Sequence, residues 1–257
     1  MKRVWIRRAV YAVAAACTLD ALIEPYLLTV VHHRVTLSEL RTALRVAHVS
    51  DLHIQSFGMR EKALLAALAR EKPDLIAITG DTVDGGDLEV ARPLLTAMRA
   101  PLGVLAVAGN WEHWRPVHGD QAAFYASVGA RFLRNESVRV RSDLVVIGLD
   151  DALSGSPDDR AFRSLGDGLR LALFHAPIGI EMAKAHTHLA LAGHTHGGQV
   201  RVPFFGPLWR PPGSAEFDRG WYLRDRTRMH VSSGVGTSIL RVRFACRPEL
   251  AILDLSP

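Results

Sequence analysis

Cysteine is scarce in this chain: only Cys17 and Cys246 occur among 257 residues. That excludes a disulfide-stapled scaffold and a thiolate-rich zinc domain. Lysine is also rare, four against 27 arginines, and the arginines are scattered from Arg3 to Arg247. The formal net charge of +5 therefore comes without a basic stripe, which argues against a nucleic-acid partner and leaves anionic lipid or phosphate. Pro/Ser-rich linkers and repeats of about 20–50 residues are missing too. With 48% hydrophobic residues, disorder is excluded as well. What the chain does have is histidine, twelve in all, so any metal chemistry leans on nitrogen and oxygen donors.

The first forty residues differ from the rest. Lys2, Arg3, Arg7 and Arg8 precede an apolar run at 9–23, broken only by Thr18 and Asp20. Glu24 and Pro25 follow, then a second apolar stretch at 26–31. A spanning helix needs about 20 apolar residues. That length takes in Asp20 and Glu24, each costing about 2.5–3.5 kcal/mol if ionised at the bilayer centre. Pro25 also ends or kinks the helix. Three readings follow: a membrane anchor or interfacial helix, a cleaved signal peptide, and a helix packed on the protein's own core. No small-x-small cleavage site follows at the expected distance, and the membrane reading is preferred. If the helix spans, the basic start places the amino terminus inside. The chain thus divides into 1–40, a basic/apolar anchor or interfacial helix, and 41–257, one α/β domain.

Within that domain, strands are expected at 45–50, 74–79 and 103–108, separated by helices at 60–70 and 88–98 and followed by one at 120–128. This β-α-β-α-β order predicts a buried, largely parallel sheet. Strand-like runs at 144–149, 169–174, 189–192, 229–232 and 250–255 suggest a second sheet packed on the first. Short helices are expected at 160–165 and 178–185.

Polar residues gather where these strands end, the usual place for sites in open α/β sheets. The strand ends read Ser50-Asp51-Leu52-His53, Thr79-Gly80-Asp81-Thr82, Gly109-Asn110-Trp111-Glu112-His113, Phe174-His175-Ala176-Pro177 and Gly193-His194-Thr195-His196-Gly197-Gly198. Alternation in an extended segment puts His194 and His196 on one side, and Gly197-Gly198 permits close backbone approach. Oxygen and nitrogen donors without thiolate suit Mn²⁺, Fe or Zn²⁺. His48, His118, His186, His188 and His230 receive no role and are expected to be structural or exposed.

The ordered series Asp-x-His, Gly-Asp, Gly-Asn, His, Gly-His-x-His resembles the calcineurin-like metallophosphoesterase superfamily from about residue 46 to 255. Gly193 to Val200, the Glu24-Pro25 lead-in and Gly148-Leu149-Asp150-Asp151 look most like a bacterial membrane-associated branch. That branch comprises YaeI/YkuE-type phosphodiesterases and a UDP-diacylglucosamine pyrophosphohydrolase of lipid A synthesis. The resemblance implies a four-layer α/β/β/α sandwich of two mixed sheets, here with an N-terminal membrane-associated helix. It implies one divalent ion on Asp51, His53, Asp81 and His196, and a second on Asp81, Asn110, His175 and His194. Mn²⁺ is the first choice, with Fe, Zn²⁺ or Mg²⁺ as alternatives. It further implies attack by a metal-bridging hydroxide on a phosphodiester or pyrophosphate bond, in a phosphorylated small molecule or lipid-linked substrate resembling UDP-2,3-diacylglucosamine. The expected location is the bacterial inner membrane, with the face open.

One position departs from the family pattern. Where the family has a histidine that assists the leaving group, this chain has Trp111, which can neither supply a proton nor act as a base. Either the leaving group needs little help, or His113 has taken the role, or the protein binds metal and turns over slowly. The catalytic candidates are therefore Asp81, Asn110 and His113. Trp111, Arg115 and Arg201 are the substrate-binding candidates, because 111–115 and the Pro-rich stretch 201–212 directly follow ligand motifs. Besides the enzyme, a metal-binding regulatory protein that has lost efficient catalysis is kept as the alternative reading.

Overall fold

The computed structural model describes residues 2–163 and 165–257. Its first element, α1 (Lys2–Ile23), forms from an Ala-rich run of good helix formers. From Arg3 to Asp20 every side chain is exposed, Trp5 and Tyr11 by about two thirds. The helix is therefore not packed on the protein's own core, which overturns that one of the three readings. No helix among the described residues is long and apolar enough to cross a membrane. The base of α1 is nevertheless held firmly. Ala21 accepts a hydrogen bond from the Arg243 amide at 3.0 Å. The buried Glu24 carboxylate accepts the amide of Ala245 at 2.9 Å and that of Cys246.

Six strands make the first sheet: β1 (Thr29–Thr36), β2 (Leu44–Val49), β3 (Leu75–Thr79), β4 (Val104–Val107), β5 (Arg131–Phe132) and β14 (Glu249–Ser256), in the order β1-β14-β2-β3-β4-β5. All its neighbours run parallel except β14 and β2. Although the sequence suggested a division at residue 40, β1 is an integral edge strand of this sheet. The last strand, read from sequence as part of a second sheet, lies instead between β1 and β2. It runs parallel to β1 and antiparallel to β2, so β1 and β14 together oppose the other four strands and make this sheet mixed.

The second sheet comprises β6 (Glu136–Arg141), β7 (Leu144–Gly148), β8 (Leu169–Leu173), β9 (Leu189–Ala192), β12 (Gly220–Arg224) and β13 (Thr227–Val231), in the order β12-β13-β9-β8-β7-β6. A small hairpin, β10 (Arg201–Val202) with β11 (Gly206–Pro207), stands apart. The two sheets meet through an aliphatic layer that includes Val46, Leu75, Leu105, Val146, Leu171 and Leu191. Each such side chain contributes about 1.5–3 kcal/mol by leaving water.

Helices cover the outer faces. On the first sheet lies α2 (Met59–Glu71), whose Leu64, Ala67 and Leu68 recur at the helical spacing and are buried. With it lie α3 (Arg92–Ala97) and α5 (Gln121–Ser127). The expected helix at 88–98 is thus a 3₁₀ turn, Leu88–Ala91, leading into α3. On the second sheet lies α6 (Ile180–Ala183). The helix expected at 160–165 is a 3₁₀ turn, Asp159–Phe162, and Ser164 lies outside the described residues. Parallel strands β2, β3, β4, β8 and β9 end on the same side, so their following loops converge.

Candidate metal centre

Five loops, after β2, β3, β4, β8 and β9, deliver Asp51 and His53, Asp81, Asn110, His175, and His194 and His196. All seven side chains are buried. Asp51, His53, Asp81, His194 and His196 hold positive φ, between 45° and 72°. For non-glycine residues that conformation costs about 1 kcal/mol or more each, and such strain concentrates at functional sites. Two motif glycines are there for closeness. A Cβ on Gly193 would meet Asp51 Oδ2 at 2.5 Å, and one on Gly109 would meet the Asp81 amide at 2.5 Å. The loops are cross-tied by Glu112, at the start of α4 (Asn110–Trp114). Its buried carboxylate accepts amides of Gly109, Asp81, Thr82 and Val83 at 2.8, 3.1, 2.7 and 3.3 Å. Burial, reinforced by Asp81, pushes the Glu112 carboxyl above its usual range.

The donors fall into two sets that share Asp81. In the first, His53 Nε2 is 3.0 Å from His196 Nε2 and 3.6 Å from Asp81 Oδ2, while His196 Nε2 is 3.4 Å from Asp51 Oδ1. In the second, His175 Nε2 is 3.1 Å from Asp81 Oδ2, and Asn110 Oδ1 is 3.0 Å from His175 Nε2 and 2.7 Å from His194 Nδ1. Ligands bonded at about 2.0–2.1 Å around one tetrahedral ion sit roughly 3.3 Å from each other. These separations match that spacing.

Tautomers decide whether the residues fit a cation. His175 Nδ1 donates to the Thr79 carbonyl at 2.7 Å, and His194 Nε2 donates to the Pro212 carbonyl at 2.6 Å. Each neutral ring therefore turns its lone pair inward, and His175 Nε2 faces His194 Nδ1 at 3.2 Å. His53 repeats the arrangement, with Nδ1 2.6 Å from Asp84 Oδ1. Facing lone pairs repel unless a cation or a proton lies between, and ligating histidines characteristically give their other N–H to such acceptors. The set fits two divalent ions.

The electrostatics agree. Burial opposes charge on His175, yet Asp81 beside it raises the imidazole well above its ordinary value. Burial likewise opposes the Asp81 carboxylate, but His175 and His53 hold it below the usual carboxylate range. Burial, with neighbouring His53 and Arg243, lowers His196 well below its ordinary value. Asp81 thus favours positive charge at the inward Nε2 of His175, the side of the ring a cation would face.

Above the donors opens a cavity of about 290 Å³. Asp81, Asn110, His194 and His196 line its floor, and Trp111, Trp114, Leu208, Trp209, Ile239 and Leu240 its walls. Trp111 also meets the His53 ring edge-on at 5.9 Å. The other sequence candidates are placed differently. Arg115 lies over the outer Trp111 ring at 5.2 Å. Arg201 is engaged by Asp218 at 2.8 Å and by the Gly197 carbonyl at 2.6 Å, and does not line this cavity. His113 turns its Nε2 to Asp150 at 2.7 Å and also does not line it.

Sequence reasoning gave no role to Asp84, Glu112 or Arg243. Asp84 had a signal, lying three residues beyond Asp81. Glu112 had one too, three residues after the Gly109 at the helix start. Arg243 had none. Its guanidinium is fully buried, donating to the carbonyls of Ser233, Gly234, Gly236 and Cys246. It so fixes the loop that flanks Asp51.

Residues 44–198 match the family model described as calcineurin-like phosphoesterase. The metallophosphoesterase YkuE of Bacillus subtilis is 30% identical over 253 residues, covering 91% of this chain and 87% of that one. The phosphodiesterase YaeI of Escherichia coli is 28% identical over 250 residues, covering 90% of each. Among solved structures, TT1561 of Thermus thermophilus superposes with a TM-score of 0.51 at 14% identity, over 76% of this chain and 91% of that one. That last likeness is one of fold.

Proposed function

The chain belongs to the calcineurin-like phosphoesterase family, in the branch of YkuE and YaeI, and from that premise we propose that it cleaves a phosphodiester or pyrophosphate bond in an amphiphilic, lipid-linked or acylated nucleotide-sugar substrate. The observation that carries this reading is Asp81 Oδ2 lying between His53 and His175, at 3.6 and 3.1 Å, so that two buried donor sets meet on the floor of an apolar cavity. Two divalent ions bound there, Mn²⁺ by first choice, supply an activated water and neutralise charge building on phosphoryl oxygens.

The chain's own residues do the rest. Asp81 holds the two sets in register, and Asn110 orients the carboxamide oxygen between His175 and His194. Trp111, Trp114, Leu208 and Ile239 exclude water beside the reacting phosphorus and offer apolar surface to an acyl chain. Trp111 brings no proton to the leaving group, so the natural leaving group is one that departs readily, such as a nucleotide phosphate. The Asp150 contact leaves His113 little freedom to replace it.

We place the protein at the bacterial inner membrane, with α1 lying in the interface. Its exposed apolar side chains and the basic residues Arg3, Arg7 and Arg8 support this. The substrate reading is tested by hydrolysis of bis-aryl phosphate against acylated and deacylated nucleotide-sugar diphosphates, with Mn²⁺. A lower KM for the acylated compound is expected, and equal KM values would overturn the lipid-linked reading. Stoichiometric metal with no turnover on any of them would favour the regulatory protein instead.

A further inference from the structure

Away from the metal centre, four strands bring titratable groups into the space between the sheets: His33 from β1, His48 from β2, His230 from β13 and Glu249 from the start of β14. Val35, Val46 and Leu253 in the same layer are aliphatic and buried. Polar groups in such a layer are costly unless fully paired. Here the pairing is incomplete. His230 Nε2 is 3.4 Å from Glu249 Oε1, and His230 Nδ1 is 3.1 Å from His48 Nδ1. His48 Nε2 continues to Thr79 Oγ1 at 2.9 Å. His33 Nδ1 accepts the Trp221 indole N–H at 3.1 Å, while His33 Nε2 is buried with no partner. One donor atom each from His33, His230 and Glu249 lies within 4.8 Å of the others.

We propose that His33, His230 and Glu249 form a third metal site, selective for Zn²⁺ over Mn²⁺, that ties β1 and β14 of one sheet to β13 of the other. Two imidazoles and a carboxylate are an established zinc donor set. Nitrogen donors favour Zn²⁺ over Mn²⁺ in the general affinity order. His230 and Glu249 already stand at 3.4 Å, near the roughly 3.3 Å that separates ligands of one ion. The His33 donor lies within 4.8 Å of both, so closing the site needs side-chain shifts of no more than about 1.5 Å.

The surroundings suit the ion. With the metal on His230 Nε2, His230 Nδ1–H donates to His48 Nδ1, and His48 Nε2–H donates to Thr79 Oγ1. This is the outer support that ligating histidines use. Burial, with His230 beside it, lowers His48 well below its ordinary value, which keeps it a neutral acceptor. Binding through His33 Nε2 puts the ring proton on Nδ1, the atom the Trp221 N–H now points at. Two hydrogens cannot share that contact, so Trp221 must turn away. It sits on the edge strand β12, 36% exposed and opposite His230, with solvent to turn into. Trp221 is thus a built-in reporter.

The test uses the full chain, with Zn²⁺ as the probe. Equilibrium dialysis and elemental analysis are expected to give one more Zn²⁺ per chain in wild type than in His33→Ala or His230→Ala. Mn²⁺-supported hydrolysis is expected to stay unchanged in His33→Ala, which touches no group of the phosphoesterase centre. Zn²⁺ added to Mn²⁺-loaded protein is expected to change tryptophan fluorescence more in wild type than in Trp221→Phe, which still binds the extra ion and keeps only the response of Trp111 and Trp114 beside the phosphoesterase centre. Should His230→Ala fail to fold, His33→Ala on its half-buried edge strand decides the matter. Equal Zn²⁺ stoichiometry in wild type and His33→Ala would overturn the proposal and leave a hydrogen-bonded network only. Because the readout is a difference between variants, it stands whether or not the phosphoesterase reading holds.

Discussion

Asp84 Oδ1 lies 2.6 Å from His53 Nδ1, on the far edge of the ring from His196. This contact selects the tautomer of His53 and aims its Nε2 lone pair at the centre. Removing the carboxylate in Asp84→Ala frees the ring, and outer-shell losses of this kind cost about 10–100-fold in metal affinity. Mn²⁺ titration should show that weakening, with hydrolysis recovered at saturating metal. Unchanged affinity would mean that Asp84 does not position His53.

Metal affinity should climb with pH, because protons compete for the same donors. Asp81 raises His175 well above the ordinary histidine value despite burial, so near neutrality the ring carries a proton that a metal must displace. Protons therefore compete with Mn²⁺ below the raised pKa, and the competition ends above it. Calorimetry in buffers of different ionisation enthalpy should detect proton release near pH 7 that fades as pH rises. No buffer dependence would contradict the assignment.

The His113–Asp150 pair gives a separate pH signature in stability. The hydrogen bond to Asp150 raises His113 above its ordinary value. A raised histidine stabilises fully below its unfolded pKa of about 6.5 and loses that contribution as pH passes through the folded value. His113→Gln should therefore lower Tm most below about pH 6.5, with the gap to wild type closing in alkali. A gap that widens with pH would have the wrong sign.

Trp111 occupies the cavity wall beside His53, at the position where the motif resemblance leads one to expect a histidine. In Trp111→His, an imidazole able to assist departure should speed cleavage of diesters with poor alkyl leaving groups, and leave aryl diesters nearly unchanged. Comparing rates across leaving groups checks this. A uniform effect on all of them would refute the role given to the indole.

How far the sequence spoke for the fold depends on the reach of each signal. The parallel core strands were legible because β3 is a continuous buried aliphatic run, which strands covered on both faces require. Pairings between distant segments were not. Nothing local in residues 29–36 says that they pair in parallel with 249–256, and so the anchor segment seemed to run to residue 40. The seven expected donors were readable because each lies in a short polar motif at a strand end, and the structure places their side chains near one another. Their supports were harder to see. Asp84, Glu112 and Arg243 act through ring nitrogens and backbone groups contributed by other loops, and Arg243 reaches a loop seven to ten residues away. The meeting of His33 with His230 was hidden for the same reason, since it depends on how the two sheets pack. The exposure of α1 removes only the core-packed reading, which apolar composition alone had left open beside the preferred membrane one.

The central claim is that Asp81 and His194 belong to one dinuclear hydrolytic centre. The most direct test measures bound Mn²⁺ and bis-aryl phosphate hydrolysis together in wild type, Asp81→Asn and His194→Ala. Two ions per chain with turnover in wild type, and loss of both tight metal and turnover in each variant, is the predicted result. Hydrolysis that survives in Asp81→Asn or His194→Ala at wild-type rate would contradict it.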